Sequence, residues 1–177
     1  MIDKNAELRL EDTDDRLYTK NDSNGFAVYF LDKECKEPFT GEIYVKFKDA
    51  IESEAQYKNG YKNGIEYIYD SDGNLEQANE NKGNVMYGVS KEYDEDGNIV
   101  NASIVFNNEY LKSIELIDGT FQETTSYQDK FGEFLPDYLR ELLSLSKEEL
   151  FNYEFKPDNP HLNYSKNKED LKRSSFI

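Results

Sequence analysis

The sequence predicts a mainly β protein, an antiparallel meander of repeated β-hairpins with one or two C-terminal α-helices. Three observations predict it. A turn motif recurs at a fixed offset: Tyr69-Asp70-Ser71-Asp72-Gly73-Asn74-Leu75 returns 24 residues later as Tyr93-Asp94-Glu95-Asp96-Gly97-Asn98-Ile99. Gly41, Gly64 and Gly88 open partly alternating runs at nearly the same spacing. The pattern then changes after residue 130 to apolar residues at helical spacing. A period of this length marks an array of supersecondary units.

Each element follows from local chemistry. Asp-x-Asp-Gly-Asn between aromatic and β-branched runs reads as a hairpin loop, because aspartate bonds nearby backbone amides and glycine accepts the left-handed conformation. Asn59-Gly60, Asn63-Gly64 and Asp118-Gly119 add short hairpin turns. The intervening runs are rich in Tyr, Phe, Ile and Val, which suit a pleated, half-buried surface. We expect strands near residues 26–31, 41–48, 51–58, 65–70, 74–79, 86–94, 98–106, 110–117 and 120–127. Phe134, Leu135, Tyr138, Leu139, Leu142 and Leu143 then mark a helix with Pro136 in its first turn, and Ser146-Lys147-Glu148-Glu149 is a capping box opening a second helix at 147. These helices are expected to cap the open end of the sheet. The resulting organisation is an N-terminal extension (1–23), a repeat domain (24–127), a helical cap (128–155) and a polar tail (156–177).

Composition narrows the function. The net charge is −16, and residues 41–127 alone hold 17 acidic and 7 basic side chains. That balance argues against nucleic acid, whose phosphates require Lys and Arg, and against docking on anionic lipid. It suits a basic protein partner. No stretch approaches the roughly 20 apolar residues of a membrane span. The opening residues lack the apolar core of a signal peptide, so a cytoplasmic location is expected. Cys35 is the single cysteine, which leaves no internal disulfide and no multi-cysteine metal site.

Catalytic motifs are scarce in the sequence. His161, the one histidine, lies in a polar stretch, and no serine sits in a nucleophile elbow. The Asp-x-Asp-Gly loops invite a calcium reading, but their glycine falls at the fourth position and the flanks are strands. An EF-hand needs glycine at position six and a glutamate at twelve. We expect no metal, no cofactor and no catalytic residues. A carboxylate-based enzyme is a distant alternative.

The repeated Tyr-x-x-Asp/Asn-Gly-x-Leu/Ile unit, the Tyr57-Lys58-Asn59-Gly60 link leading to Gly64, and Pro38-Phe39-Thr40-Gly41 resemble the bacterial variant of MORN repeats, and in particular the YwqK-like antitoxin or immunity family, over about residues 24–117. The second link, Asn81-Lys82-Gly83, departs from the pattern, and the third, Phe106-Asn107-Asn108-Glu109, lacks glycine. The resemblance implies a protein that neutralises a cognate toxin by binding it, without a cofactor. A basic nuclease would be the natural target for an acidic inhibitor. The expected contact residues are Asp70, Asp72, Asp94, Glu95 and Asp96 as the charged part, with Tyr69 and Tyr93 as anchors. Strand periodicity also allows the tyrosines to be structural. The alternative reading is a structural scaffold or interaction module with no toxin partner.

Overall fold

The computed structural model describes residues 8–126 and 134–164. Among them are eleven strands: β1 (Leu8–Glu11), β2 (Tyr18–Asn21), β3 (Ala27–Phe30), β4 (Gly41–Phe47), β5 (Ala50–Lys58), β6 (Tyr61–Tyr69), β7 (Leu75–Lys82), β8 (Val85–Tyr93), β9 (Ile99–Phe106), β10 (Glu109–Ile117) and β11 (Thr120–Thr125). Two short helices follow, α1 (Asp137–Leu143) and α2 (Lys147–Phe151), and then a single 3-10 turn, Pro160–Leu162. The protein is mainly β, as expected. Strands β4 to β11 lie side by side in chain order, each antiparallel to the last.

The 24-residue period has a physical cause. Turns at Asn59-Gly60, Gly83-Asn84 and Asn107-Asn108 all hold two residues at positive φ, the mirror-image turn that matches strand twist. The third lacks glycine, yet asparagine tolerates this conformation, so the hairpin survives. The side chains repeat as well. Asn84 accepts from the Lys62 amide at 2.6 Å, and Asn108 from the Met86 amide at 2.8 Å. Gln56 and Glu80 occupy matching irregularities in β5 and β7, and accept from the amides of Ile65 and Val89 at 2.9 and 2.8 Å. Each of those amides follows a glycine at φ +112°, Gly64 or Gly88. A Cβ there would collide with the Gln56 or Glu80 side-chain oxygen, so the slot requires glycine.

Packing divides the core by face. Register carries Ile43 across to Ala55, Glu66, Asn79 and Ser90, so these share one face. Val89 and Lys91 flank Ser90 and point to the other. On the first face Leu10, Phe39 and Ile43 are buried with Tyr29, Leu31 and Tyr57 against them. On the second, Tyr87, Val89, Ala102, Ile104, Leu111 and Ile114 pack beneath Leu139, Leu142, Leu150, Phe151 and Leu162. Hydrophobic burial of this kind is what holds two short helices that would be unstable alone.

Five expectations need correction. Asn63-Gly64 is no hairpin turn: both residues lie inside β6, Asn63 paired with Lys82 and Gly64 with Asn81, because the chain already turns at Asn59-Gly60. No strand is expected within the N-terminal extension, yet β1 adds to the sheet edge parallel to β4, and β2 pairs with β3 in a separate hairpin. Leu10, only 2% exposed, anchors β1, an apolar contact invisible in a four-residue run. The helices do not close the open end of the sheet. They lie on a face of β8 to β11, where the apolar side chains need cover. Helix α1 starts at Asp137, and Phe134 stays 81% exposed, because the extended backbone of Pro136 ends the helix ahead of it. Within the expected polar tail, residues 156–164 are docked: Asn159 and Leu162 are buried. The expected boundary at residues 127 and 128, and the tail beyond Tyr164, lie outside the described residues.

Candidate functional site

Consecutive antiparallel pairing places the β4–β5, β6–β7, β8–β9 and β10–β11 turns at one end of the sheet, so both Asp-x-Asp-Gly loops stand on the same side, two strands apart. Each loop is built by its first aspartate. Asp70 Oδ1 accepts from the amides of Asp72 and Asn74, both at 2.8 Å. Asp94 Oδ1 accepts from those of Asp96 and Asn98 at 3.0 and 2.8 Å. The Asn74 side chain, with backbone amides, holds Asp70 below the usual carboxylate range, and the Asn98 backbone amide does the same for Asp94. These two carboxylates are therefore committed to the turns. Asp72, Glu95 and Asp96 are exposed and accept no hydrogen bond from described residues. A third copy of the turn, unforeseen, lies at Asp22-Ser23-Asn24-Gly25-Phe26, where Asp22 Oδ1 accepts from Asn24 and Phe26 at 2.8 and 3.1 Å.

The two tyrosines differ. Tyr69 donates to Glu54 Oε1 at 2.6 Å, and burial first, then that carboxylate, pushes its pKa up. Tyr93 is half-buried, and its hydroxyl has no partner among described residues; burial, then neighbouring Tyr67, raises its pKa. Asp70, Tyr93, Asp94, Glu95 and Asp96 line one cleft of about 530 Å³, with Leu75 and Glu76. Tyr69 and Asp70 line a second of about 340 Å³, beside Phe47 and Ile51. Six of the seven expected residues thus border two adjoining clefts. Asp72 lines neither.

Further along, a polar cluster joins sheet to helices. Glu80 is 1% exposed, and its carboxylate accepts four hydrogen bonds: Val89 N at 2.8 Å, Tyr138 Oη at 2.7 Å, Tyr153 Oη at 3.0 Å and Asn159 Nδ2 at 3.0 Å. The exposed His161 ring stacks on Tyr138, 4.6 Å between centroids. Burial, then the Glu80 charge, raises the pKa of both phenols, that of Tyr153 to about 12. With the Glu80 carboxylate buried and saturated with donors, this cluster is a structural clasp. Nothing short of tertiary contact marks it, since Glu80 reads as one strand acid among many. Among the described residues no group of three or more His, Cys, Asp or Glu is placed to hold a metal ion, and no helix is long and apolar enough to cross a membrane.

No protein-family model matches the chain, and no curated protein matches it. Among solved structures, it is similar to a point mutant of Staphylococcus aureus TarM in complex with fondaparinux, alpha-GlcNAc-glycerol and UDP, at 12% identity and a TM-score of 0.21 over 63% of this chain. The chain spans only 22% of that structure's length. So distant a likeness carries no functional argument.

Proposed function

We propose that the chain is a non-catalytic cytoplasmic immunity protein that binds and neutralises a basic protein toxin, with a nuclease as the natural target. One observation carries the reading: Glu95 and Asp96 stand uncommitted along an open cleft walled by Tyr93, with Asp72 uncommitted on the neighbouring loop, in a chain of net charge −16. The MORN-type, YwqK-like resemblance of residues 24–117 supplies the class. Complementary charge chiefly speeds encounter, lifting association above about 10⁵–10⁶ M⁻¹s⁻¹ at low salt, while a few buried anchors set residence time. Tyr93 is the better anchor of the two tyrosines, because Tyr69 is already bonded to Glu54.

The test is association kinetics with any basic toxin whose gene lies beside this one, over a salt series. Wild type is compared with a variant carrying Asp72→Asn, Glu95→Gln and Asp96→Asn, which leaves the turn-building Asp70 and Asp94 in place. A salt-sensitive on-rate that the variant loses, with protection of toxin-expressing cells, is the expected result. Wild-type behaviour of the variant would place the interface elsewhere. Absence of any protection would favour the scaffold reading.

A further inference from the structure

We infer that the uncovered part of the helix-side sheet face, around Tyr67 and Tyr93, seats an arginine side chain of a basic protein partner. The inference rests on the proposed function for the partner's charge and goes beyond it by naming the group recognised and what recognises it. Cross-strand register aligns Tyr44, Glu54, Tyr67, Ala78 and Lys91 on one face. At one end of this row Lys91 is 3% exposed, and its Nζ lies 5.9 Å from the Phe155 ring, under the C-terminal segment. At the other end Arg9 lies over Tyr44. Between them Tyr67, and Tyr93 two residues past Lys91, remain half-buried beside Ala78, which has no bulk to cover them. Neither hydroxyl has a partner among described residues. A flat, partly desolvated ring whose hydroxyl oxygen can accept from a guanidinium is what an arginine anchor requires.

The chain itself shows which group such a surface holds. The Arg9 guanidinium stands 4.4 Å above the Tyr44 centroid, donates to Glu54 Oε2 at 2.7 Å and pairs with Glu42. One ring and two carboxylates therefore suffice for a guanidinium on this sheet. The strand that carries Arg9 is held by Leu10, buried against Phe39 and Ile43. At Tyr93 the same ingredients are present: the ring, with Glu76, Glu95 and Asp96 around one cleft. Carboxylates alone attract any cation. The ring discriminates, since a planar guanidinium stacks and forks to carboxylates while an ammonium is a compact, strongly hydrated charge.

The experiment measures binding of two synthetic peptides of equal length and charge, one oligo-arginine and one oligo-lysine, to the full chain by calorimetry. Amide NMR locates the contact. The arginine peptide is expected to bind about two- to fivefold tighter, the scale of one solvent-facing cation–π contact, with shifts at Tyr67 and Tyr93. Tyr93→Leu and Tyr67→Leu, each checked for an unchanged fold by the same spectra, should reduce that preference toward unity and leave salt-dependent binding. Tyr110→Leu, an exposed tyrosine 42% accessible beside Val105 on the opposite face, should keep it. Equal binding of the two peptides overturns the inference, as does a preference that survives both leucine variants. An arginine preference without toxin neutralisation would sink the proposed function alone. Neutralisation without the preference would sink only the arginine seat.

Discussion

At the scale of single residues, glycine positions separate two costs that are usually merged. Gly73 sits at φ +85° with open space where a side chain would go, whereas Gly88 sits at φ +112° against the Glu80 carboxylate and its Cβ. Gly73→Ala should therefore cost only the left-handed strain, about 1–2 kcal/mol. Gly88→Ala adds displacement of a buried carboxylate from its donors and should cost at least about 2 kcal/mol more. Urea titrations of the two variants check the ordering, and equal midpoints would contradict it. The aspartates of the turns give a second residue-level expectation. Asp70 and Asp94 have folded pKa values lowered from 3.8, by the Asn74 side chain and the Asn98 backbone respectively. A lowered folded value means stability that is complete above the unfolded pKa and is lost as pH falls through the folded one. The Asp70→Asn/Asp94→Asn double variant should then show a shallower loss of stability than wild type below pH 3.8, read from melting temperatures across an acid series.

At the scale of elements, the attachment of the helices to the sheet combines apolar burial with the Glu80 clasp. Leu139 is fully buried in α1, so Leu139→Ala should cost about 2–5 kcal/mol. The clasp is polar and works differently. Glu80→Gln keeps an acceptor for the Val89 amide but replaces the other oxygen with a donor, stranding donors from Tyr153 or Asn159. Each stranded buried group costs about 1–3 kcal/mol. Hydrogen exchange is the discriminating measurement. Glu80→Gln should raise exchange in α1, α2 and residues 159–162 well before it raises exchange in β5 and β6. Uniform acceleration would mean that the segment and sheet unfold as one.

At the scale of the whole molecule, two electrostatic effects oppose one another. The ion pairs among described residues include exposed ones such as Arg16–Asp14 and Lys46–Glu11, pairs of a kind that contributes little. Set against them is the self-repulsion of a −16 chain, which a compact state suffers more than an open one. Repulsion should win. The melting temperature is expected to rise as salt goes from about 0.01 to 0.15 M, where the screening length falls from about 30 to about 8 Å. A fall would show that the ion pairs matter more than the net charge.

The sequence alone determined the hairpins and their period, because turn chemistry is local. Asp70 and Asp94 bond amides two and four residues ahead, so the motif that is read in the chain is the motif that folds. The same locality makes the loops of the candidate site legible, and the Asp22 turn carries the same Asp-x-x-Gly spacing in Asp22-Ser23-Asn24-Gly25. What only the tertiary structure decided depends on partners far apart in the chain. Asn159 reaches Glu80 across 79 residues, Tyr138 reaches Glu80 across 58, and Arg9 finds Glu54 across 45. No periodicity encodes such pairings. A buried glutamate and an exposed one look alike in sequence, since burial is conferred by elements that arrive later. So the parallel β1, the docking of residues 156–164, and the difference between Tyr69, bonded to Glu54, and Tyr93, whose hydroxyl has no hydrogen-bond partner among the described residues, were settled by how faces meet, where the energy is long-range in the chain and short-range in space.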